Sequence, residues 1–239
     1  MIKVLKIISR CFQRPLGSFL FLLLFPISPL FADSPHITFS VDDTGQSSQK
    51  TEGVIHASPQ SVWETLSPAQ NWKTFMPHVP ESIVLTQKGV DEIQSVSKEK
   101  NVNLADLIKI ARANASSLNP QEGETWKGHV FLVVDTPFPV ADRWFLLTLE
   151  ANEKKRAESL FDLCWNMVVG NVKTTQGCFY IRPSPSGNPA DTYLIRDEVS
   201  DVGGHVPKWV VSLGSKVTVP QMFKNIEKKS AARGISSTR

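Results

Sequence analysis

Histidine and cysteine are the residue types best suited to metal binding or nucleophilic chemistry, and their spacing in this chain supports neither. The five histidines are scattered and show no paired metal-ligand spacing: His36, His56, His78, His129 and His205. The chain has no Cys-x-x-Cys pair, Gly-x-Ser-x-Gly elbow, Walker loop or dinucleotide-binding fingerprint. We therefore expect no bound metal and no cofactor, and any catalysis would have to come from dispersed residues.

Three residues on predicted strands are candidates for general acid–base chemistry: His129, Asp162 and Tyr180. A histidine that is solvent-facing or satisfied within the core is the simpler interpretation of His129. Strand alternation weakens the case for Asp162 as an acid–base residue, because it places Asp162 on the face opposite Trp165. An enzyme is therefore an alternative hypothesis here rather than the leading one.

Arg143 is the most informative polar residue, because it begins a strand directly after a proline-punctuated turn. Two interpretations are open. It could lock the turn through a local ion pair with Asp142, or its guanidinium could lie at a pocket rim and hold a carboxylate, phosphate or quinone oxygen. Arg182 and Arg196 pose the same choice, and Arg196 beside Asp197 and Glu198 is most simply a cross-strand ion pair.

Large aromatic residues recur on the predicted strands and on the final helix. Ligand pockets are mostly apolar with a few convergent polar groups, and the chain has both kinds of residue. Packing in an ordinary core is the alternative for each aromatic. The candidate ligand-binding residues are Trp126, Phe131, Arg143, Trp144, Trp165, Tyr180, Tyr193 and Trp209.

Local signals predict the elements that must position these residues. Ser58 is well placed to cap a helix that has Pro59 at its first position, and Asn103 to cap a second helix over 104–113. A strand-like piece at 37–41 precedes a predicted loop over 42–50. The remaining predicted elements are strands over 51–57, 82–87, 126–134, 143–151, 159–169, 177–182 and 191–199, a short helix over 69–75, and a helix from 207 to about 229 that is weakened near Gly214 and Pro220. On that final helix, Val206, Trp209, Val210, Leu213, Met222, Phe223 and Ile226 are expected to face the sheet.

The N-terminus has the layout of a secretory signal peptide over 1–32. Its four basic residues precede an apolar stretch, and cleavage is expected after Ala32. An uncleaved membrane anchor is the alternative, although Pro26 and Pro29 interrupt the stretch. Removing the four basic residues of the leader lowers the formal net charge from +3 to −1, so no nucleic-acid partner is expected.

Cys164 and Cys178 are the only thiols beyond the leader. In an exported protein they could pair, but two cysteines do not make a disulfide framework. Two buried, unpaired cysteines are an equally good interpretation.

Three segments together carry a family resemblance. They are the strand-to-helix segment 53–66, the turn-to-strand segment 135–145, and the helix start Val206-Pro207-Lys208-Trp209-Val210-Val211. In this order and at these separations they resemble the START-like (SRPBCC, helix-grip, polyketide cyclase/coenzyme Q-binding) superfamily. The resemblance implies an α+β fold in which a curved antiparallel sheet wraps around a long C-terminal helix and leaves an apolar cavity.

The resemblance also implies a domain organisation. It places a START-like domain at 51–229, after an N-terminal strand and flexible entry at 33–50, with a basic tail at 230–239. The helical segment 90–121 is an insertion relative to the expected pattern. It is either a packing helix outside the sheet or a lid over the cavity mouth.

The expected function is a binding module that is exported to the periplasm or secreted. It would bind or carry a hydrophobic small molecule, a lipid or an isoprenoid quinone, in the cavity. The basic C-terminal tail could add peripheral membrane contact. The alternatives are a polyketide cyclase/dehydrase-like enzyme on the same fold, and a protein-interaction module that docks through the inserted helix.

Overall fold

An eight-stranded antiparallel sheet forms the centre of the structure, a computed structural model that describes residues 34–99, 102–117, 125–136, 141–203 and 208–236. In chain order the strands are β1 (His36–Val41), β2 (Ser47–Ile55), β3 (Glu81–Leu85), β4 (Thr125–Val134), β5 (Arg143–Lys155), β6 (Leu160–Gly170), β7 (Thr174–Pro183) and β8 (Thr192–Asp201). Across the sheet they are arranged β1-β2-β8-β7-β6-β5-β4-β3. The predicted α+β architecture with a curved antiparallel sheet is confirmed.

Four α-helices pack on the two faces of this sheet. They are α1 (Pro59–Leu66), α2 (Gln87–Val96), α3 (Leu104–Ala113) and α4 (Lys208–Ser236). Helices α1 and α4 cover the face that we call inner, and α2 and α3 cover part of the opposite, outer face. A 3₁₀ helix over Ala69–Thr74 stands where the sequence predicts a short helix.

Strand alternation decides which side chains enter the inner core. In β6, Phe161, Leu163 and Trp165 are buried on the inner face, and the residues between them point outward, as predicted. Trp63 from α1 stacks on Phe161 with ring centroids 5.1 Å apart. From α4, Val219, Met222, Phe223 and Ile226 complete this core. The prediction that Met222, Phe223 and Ile226 face the sheet is therefore confirmed.

The start of α1 follows directly from its local sequence. The Ser58 hydroxyl accepts a hydrogen bond from the Ser61 amide. Pro59 occupies the first helical turn, where the backbone N–H that proline lacks would have no partner within the helix. Near the other end of α1, Thr65 receives a hydrogen bond of 3.1 Å from Ser230 of α4. This polar contact ties the two inner helices together.

The described parts of the inserted segment, 90–99 and 102–117, form a packing layer on the outer face rather than a lid over the cavity. Asn103 caps α3 as predicted, and Leu107 and Ala111 are fully buried against β3 to β5. Helix α2 was not predicted. It is capped by Thr86 and buries Ile93 in the same outer cluster.

The predicted loop over 42–50 is wrong in its second half, because β2 begins at Ser47. Only the turn after β1 is irregular, and there the Asp42 carboxylate accepts hydrogen bonds from the Thr44 and Gln46 amides. The strand was missed because its inward residues Ser47, Gln49 and Thr51 are polar, so apolar alternation does not mark it.

The final helix is longer than predicted. It runs without interruption past Pro220 to Ser236, whereas the sequence suggested an end near Lys229. Within the described part of the chain, no helix combines the length and apolarity needed to cross a bilayer.

Candidate functional site

A partly open cavity of about 340 Å³ lies between the inner face of the sheet and α4. Its size falls within the range of about 300–1,000 Å³ that is typical of small-molecule sites. Most of its wall is apolar, formed by Trp72, Met76, Leu132, Phe145, Leu147, Trp165, Phe179 and Met222. The cavity is therefore built to receive an apolar molecule, with polar groups confined to a few positions.

Trp165 is the large aromatic residue at the centre of this wall, and its position depends on Gly177. The two residues are directly opposite on β6 and β7. A Cβ atom at position 177 would lie 2.5 Å from Cζ2 of the indole and would also clash with the Asp197 carbonyl oxygen. Phe179 lies beside the indole at a centroid distance of 5.4 Å. The glycine therefore makes room for the tryptophan in the cavity wall.

Strand β8 places an ion pair in the same wall. Arg196 and Glu198 are two residues apart, so alternation directs both side chains inward, where they form a salt bridge. Their side chains are only 15% and 16% exposed. Burial lowers the pKa of Arg196 to about 10, which leaves the guanidinium protonated at neutral pH. The pair is therefore charged on both sides and close to neutral overall.

Neighbouring strands complete a polar group that we call the cavity cluster, consisting of Arg196, Glu198, Thr175 and Gln49. Arg196 donates to Gln49 Oε1 at 3.1 Å, and its guanidinium lies over the Trp165 ring, 5.6 Å from the centroid. Thr175 donates to Glu198 Oε1 at 3.3 Å and accepts from Trp165 Nε1 at 3.4 Å. The cluster thus joins β2, β7 and β8 behind the indole.

Arg143 lines the cavity at the end of the β4–β5 hairpin. Its guanidinium is half-buried and has no hydrogen bond or ion pair with any residue that the structure describes. Asp142 holds the turn instead, since its carboxylate accepts from the Thr136 amide at 3.2 Å and its carbonyl from Asn171 Nδ2 at 2.9 Å. The suggested local ion pair between Asp142 and Arg143 does not form. Residues 137–140 of this segment lie outside the described residues.

Two of the predicted ligand-binding aromatics lie on the opposite side of the sheet from the cavity. Phe131 and Trp144 are buried in the outer cluster beneath α2 and α3, with ring centroids 6.1 Å apart. Alternation explains this placement, because each is one residue away from an inward position, Leu132 and Phe145.

Three more of the predicted residues, Trp126, Tyr180 and Tyr193, are not among the described residues that line the cavity. Trp126 packs at the edge of the inner core but does not line the cavity. Tyr180 and Tyr193 are on the outer face, where Arg182 stacks on the Tyr180 ring at 5.3 Å. The side chain of Trp209 lies outside the described residues. Among the predicted residues whose side chains the structure describes, Arg143 and Trp165 are the two that line the cavity.

The acid–base candidates do not face the cavity. Asp162 pairs with Arg182 on the outer face at 2.5 Å, opposite Tyr180. His129 follows the outer-face parity of Phe131, and burial lowers its pKa despite the opposing effect of Asp91 on α2. Glu198 is the carboxylate among the described lining residues. In the described ranges, no three His, Cys, Asp or Glu side chains gather in a metal-binding group.

Cys164 and Cys178 form a disulfide on the outer face, directly behind the cavity wall. The two cysteines are register partners on β6 and β7. Cys164 directly precedes Trp165 and Cys178 directly precedes Phe179, and both of these aromatic residues line the cavity. Of the two interpretations that the sequence left open, the structure shows the paired one.

The architecture is shared with several solved structures. The STAR-related lipid transfer protein of Xanthomonas axonopodis superposes with a TM-score of 0.51 at 13% identity, covering 82% of this chain and 98% of that chain. The chain has the helix-grip fold of START-like proteins. The Zhui aromatase/cyclase from a Streptomyces species matches at a TM-score of 0.51 and 9% identity, over 79% of this chain and 95% of that chain. Human STARD10 matches at a TM-score of 0.51 and 13% identity, over 83% of this chain and 73% of that chain.

These likenesses establish the fold and leave the ligand open, since one fold hosts many functions. No protein-family model matches the chain, and no curated protein matches its sequence. The function has to be argued from the cavity itself.

Sequence reasoning left Arg196 open between a pocket rim and a cross-strand ion pair, favouring the ion pair, and missed Glu198; the structure pairs the two within β8, not across strands, and both line the cavity. The available signal was the alternation of Leu194, Arg196 and Glu198 in β8, which puts both charges on the face of a buried leucine. It was not decisive, because Tyr193 and Ile195 give the other face an apolar pattern as well.

Proposed function

We propose that this protein is an exported START-like domain that binds or carries a hydrophobic small molecule, a lipid or an isoprenoid quinone. The observation that carries the proposal is the mostly apolar cavity with an arginine in its wall, Arg143, whose guanidinium has no partner among the described residues. Transfer of apolar ligand surface from water into the cavity, at about 25 cal/mol per Å², would drive binding. Arg143 would hold an oxygen-bearing end of the ligand in fork geometry. The lipid transfer named for the Xanthomonas neighbour supports the ligand class by analogy of fold.

Two observations support export. The first 32 residues have the charge and apolar pattern of a cleaved leader. The Cys164–Cys178 disulfide is the kind of bond that persists in oxidising compartments such as the periplasm. The intact mass of the protein purified from an exporting bacterial host tests export. We expect the mass of a disulfide-bonded chain that starts at Asp33. The mass of a full-length, reduced chain would contradict export.

Membrane contact is the further part of this proposal. The exposed surface of α4 has four lysines: Lys216, Lys224, Lys228 and Lys229. Its acidic residue Glu227 is occupied, because its carboxylate accepts a hydrogen bond of 3.2 Å from the His56 amide. Such a surface would attract an anionic membrane in a salt-dependent way. Co-sedimentation with phosphatidylglycerol vesicles should be lost when Lys224 and Lys228 are replaced by glutamine. Vesicle binding that depends neither on these two charges nor on the salt concentration would overturn the proposed membrane contact.

The enzyme alternative has little support from the site. The three acid–base candidates, His129, Asp162 and Tyr180, lie on the outer face, and Glu198 is held in an ion pair. The docking alternative predicted an exposed apolar stripe on α3. Leu107 and Ala111 are instead buried against the sheet.

Native mass spectrometry with organic extraction tests the carrier proposal. We expect a co-purified lipid or quinone in the wild-type protein. Trp165→Leu and Trp144→Leu form a matched pair, because the two residues are 7% and 6% exposed but lie on opposite faces. Trp165→Leu should lose most of the ligand, and Trp144→Leu should retain it at equal folded fraction. A clean apo mass that persists after incubation with total lipid extract would overturn the proposal.

A further inference from the structure

Three charged side chains line the cavity among the residues that the structure describes: Arg143, Arg196 and Glu198. Arg196 and Glu198 form a salt bridge with each other, so their charges cancel. Arg143 is half-buried and has no hydrogen bond or ion pair with a described residue. Two arginines and one glutamate give the described wall a net charge of +1, which resides at Arg143. A half-buried cation without a counter-ion has lost hydration that a bound anion would replace.

Arg143 lies at the open end of the cavity. It is the first residue of β5 and pairs with Val134, the last residue of β4. The lining residues at this end of the sheet are half-buried: Val134, Arg143, Val172, Ser200 and Val202. Lining residues further along the strands are buried: Leu132, Leu147, Trp165 and Phe179. The exposure of the wall therefore falls from Arg143 inward.

Strand register separates Arg143 from the ion pair. Across β8, β7, β6 and β5, Glu198 is level with Leu149. Leu149 is six residues beyond Arg143 on β5, which corresponds to about 20 Å along an extended strand. The inward residues of β5 between them, Phe145 and Leu147, are apolar and line the cavity. An apolar stretch thus connects a charged open end with a neutral polar group further inside.

The size of the cavity limits the number of chains that it can hold. Its volume of about 340 Å³ lies near the lower end of the range of about 300–1,000 Å³ for small-molecule sites. Sites of this size bury ligands of drug size, and a phospholipid with two long acyl chains is considerably larger than that. The cavity therefore matches a lipid with one chain.

We propose that the cavity takes a single-chain lipid whose carboxylate head pairs with Arg143 at the open end and whose chain runs inward toward Trp165. The inference rests on the proposed hydrophobic-ligand function and narrows its ligand class to fatty-acid-like monoanions. A monoanion neutralises the charge of the described wall, and a carboxylate accepts two parallel hydrogen bonds from one guanidinium. The Arg196–Glu198 pair is already neutral and has no net charge to attract a second anionic group.

Calorimetric titration of the protein with decanoate, decanol and decylubiquinone tests this assignment. Decanoate and decanol have the same chain length and differ in the charge of the head. We expect decanoate to bind more tightly, and Arg143→Met to weaken decanoate about tenfold, the lower end for a hydrogen bond to a charged group, without changing decanol. Arg143→Lys keeps the charge but loses the fork, and should recover part of the affinity. Because Arg143 has no partner among the described residues, both changes should leave the melting temperature nearly unchanged.

Arg182→Met is the matched control. Arg182 is also a half-buried arginine on a strand, but it lies on the outer face and is not among the lining residues. Its guanidinium donates to the Asp162 carboxylate at 2.5 Å and to the Phe161 carbonyl at 2.8 Å. This variant should therefore lose stability and keep the wild-type affinity for decanoate.

The direction of the chain has its own readout. At saturation, decanoate brominated at its last carbon should quench the fluorescence of Trp165, measured as the difference between the wild type and Trp165→Phe. Decanoate brominated beside the carboxylate should not quench it. Equal quenching by the two probes would overturn the proposed direction.

The outcomes separate this inference from the proposed function. If decanoate binds no more tightly than decanol, or if Arg143→Met and Arg182→Met bind decanoate alike, the carboxylate assignment is overturned. Binding of decylubiquinone in that case leaves the hydrophobic-ligand function standing. A one-to-one complex with phosphatidylglycerol in native mass spectrometry would overturn the restriction to a single chain. If none of the three titrated probes binds, the proposed function fails as well.

Discussion

Two arginine–glutamate pairs lie on the inner side of the protein, and they differ in what surrounds them. The core cluster consists of Glu153, Arg156 and Trp63. Its carboxylate is nearly fully buried, accepts from Trp63 Nε1 and from Arg156 Nη1 at 2.6 Å each, and its arginine reaches outward to 28% exposure. The cavity cluster around Arg196 and Glu198 instead keeps the arginine itself inside the protein.

The two pairs differ in whether they lie in the cavity wall. In the core cluster the buried carboxylate has strong partners, and none of the three residues lines the cavity. In the cavity cluster the hydrogen bonds that Thr175 and Gln49 make with the ion pair are longer, at 3.3 and 3.1 Å, and Gln49 Nε2 and the Thr51 hydroxyl have no hydrogen-bond partner among the described residues. A buried ion pair is weak evidence for stability in general, so its surroundings have to decide its role.

The largest effect is expected from breaking the core cluster. Glu153→Ala removes the acceptor of the Trp63 indole N–H and the carboxylate that the Arg156 guanidinium contacts at 2.6 Å, and should lower the free energy of unfolding by about 3 kcal/mol. Urea denaturation measures this loss. Glu153→Gln retains an acceptor for Trp63 and should recover part of it. A loss of ligand affinity in the folded fraction of either variant would contradict the separation of the two clusters.

A somewhat smaller effect is expected from removing the disulfide behind the cavity cluster. The bond closes a loop between residues separated by 14 positions, for which chain entropy gives about 3 kcal/mol as an upper figure. The strands are already paired by hydrogen bonds, so we expect about 2 kcal/mol for the double variant Cys164→Ala, Cys178→Ala. Thermal unfolding with and without reductant measures it. The double variant should be insensitive to reductant, and an unchanged wild-type melting temperature under reduction would refute the prediction.

A modest stability effect is expected at the cavity cluster itself. Glu198→Gln leaves Arg196 without its counter-ion, but the adjoining cavity admits water to the guanidinium. We expect a loss of about 1 kcal/mol, clearly less than for Glu153→Ala. The two variants should be compared in the same urea titration. Equal losses would show that the cavity cluster is as much a part of the structural core as the core cluster.

The smallest effect is expected from His129, which belongs to neither cluster. Burial lowers its pKa below the usual value of about 6.5, so the unfolded chain binds the proton more readily than the folded one. Stability should therefore fall as the pH drops through about 6.5, and level off once the folded histidine is also protonated. Denaturation of the wild type and His129→Asn across this range measures the effect. An identical pH dependence in both proteins would exclude His129 as its source.

Much of the fold could be predicted from local signals. Ser58 and Pro59 mark the start of α1, Asn103 the start of α3, and the alternation around Trp165 the faces of β6. These signals act over a few residues, so they are legible in a single sequence. The first half of β2 and the whole of α2 were missed, β2 because its inward side chains are polar at the position where they meet the cavity cluster.

The candidate site was much less predictable. Trp165 and Arg143 were singled out for their type and position, but Phe131 and Trp144 looked equally suitable and lie on the other face. A register shift of one residue exchanges the two faces of a strand, and both faces of β4 and β5 are apolar because helices cover each side. Periodicity cannot separate inner from outer in such strands.

By itself the sequence determined the strand and helix types, the leader pattern and the likeness to START-like proteins, because these depend on residue order and local spacing. The tertiary structure alone decided that Cys164 meets Cys178, that α2 and α3 form an outer layer, and that Gln49 and Thr51 of β2 lie beside Arg196 of β8 on the inner face of the sheet. Strands β2 and β8 are about 150 residues apart in the chain and adjacent in the sheet. Contacts at such separations depend on strand pairing and on which face each strand turns inward, and local sequence signals carry neither.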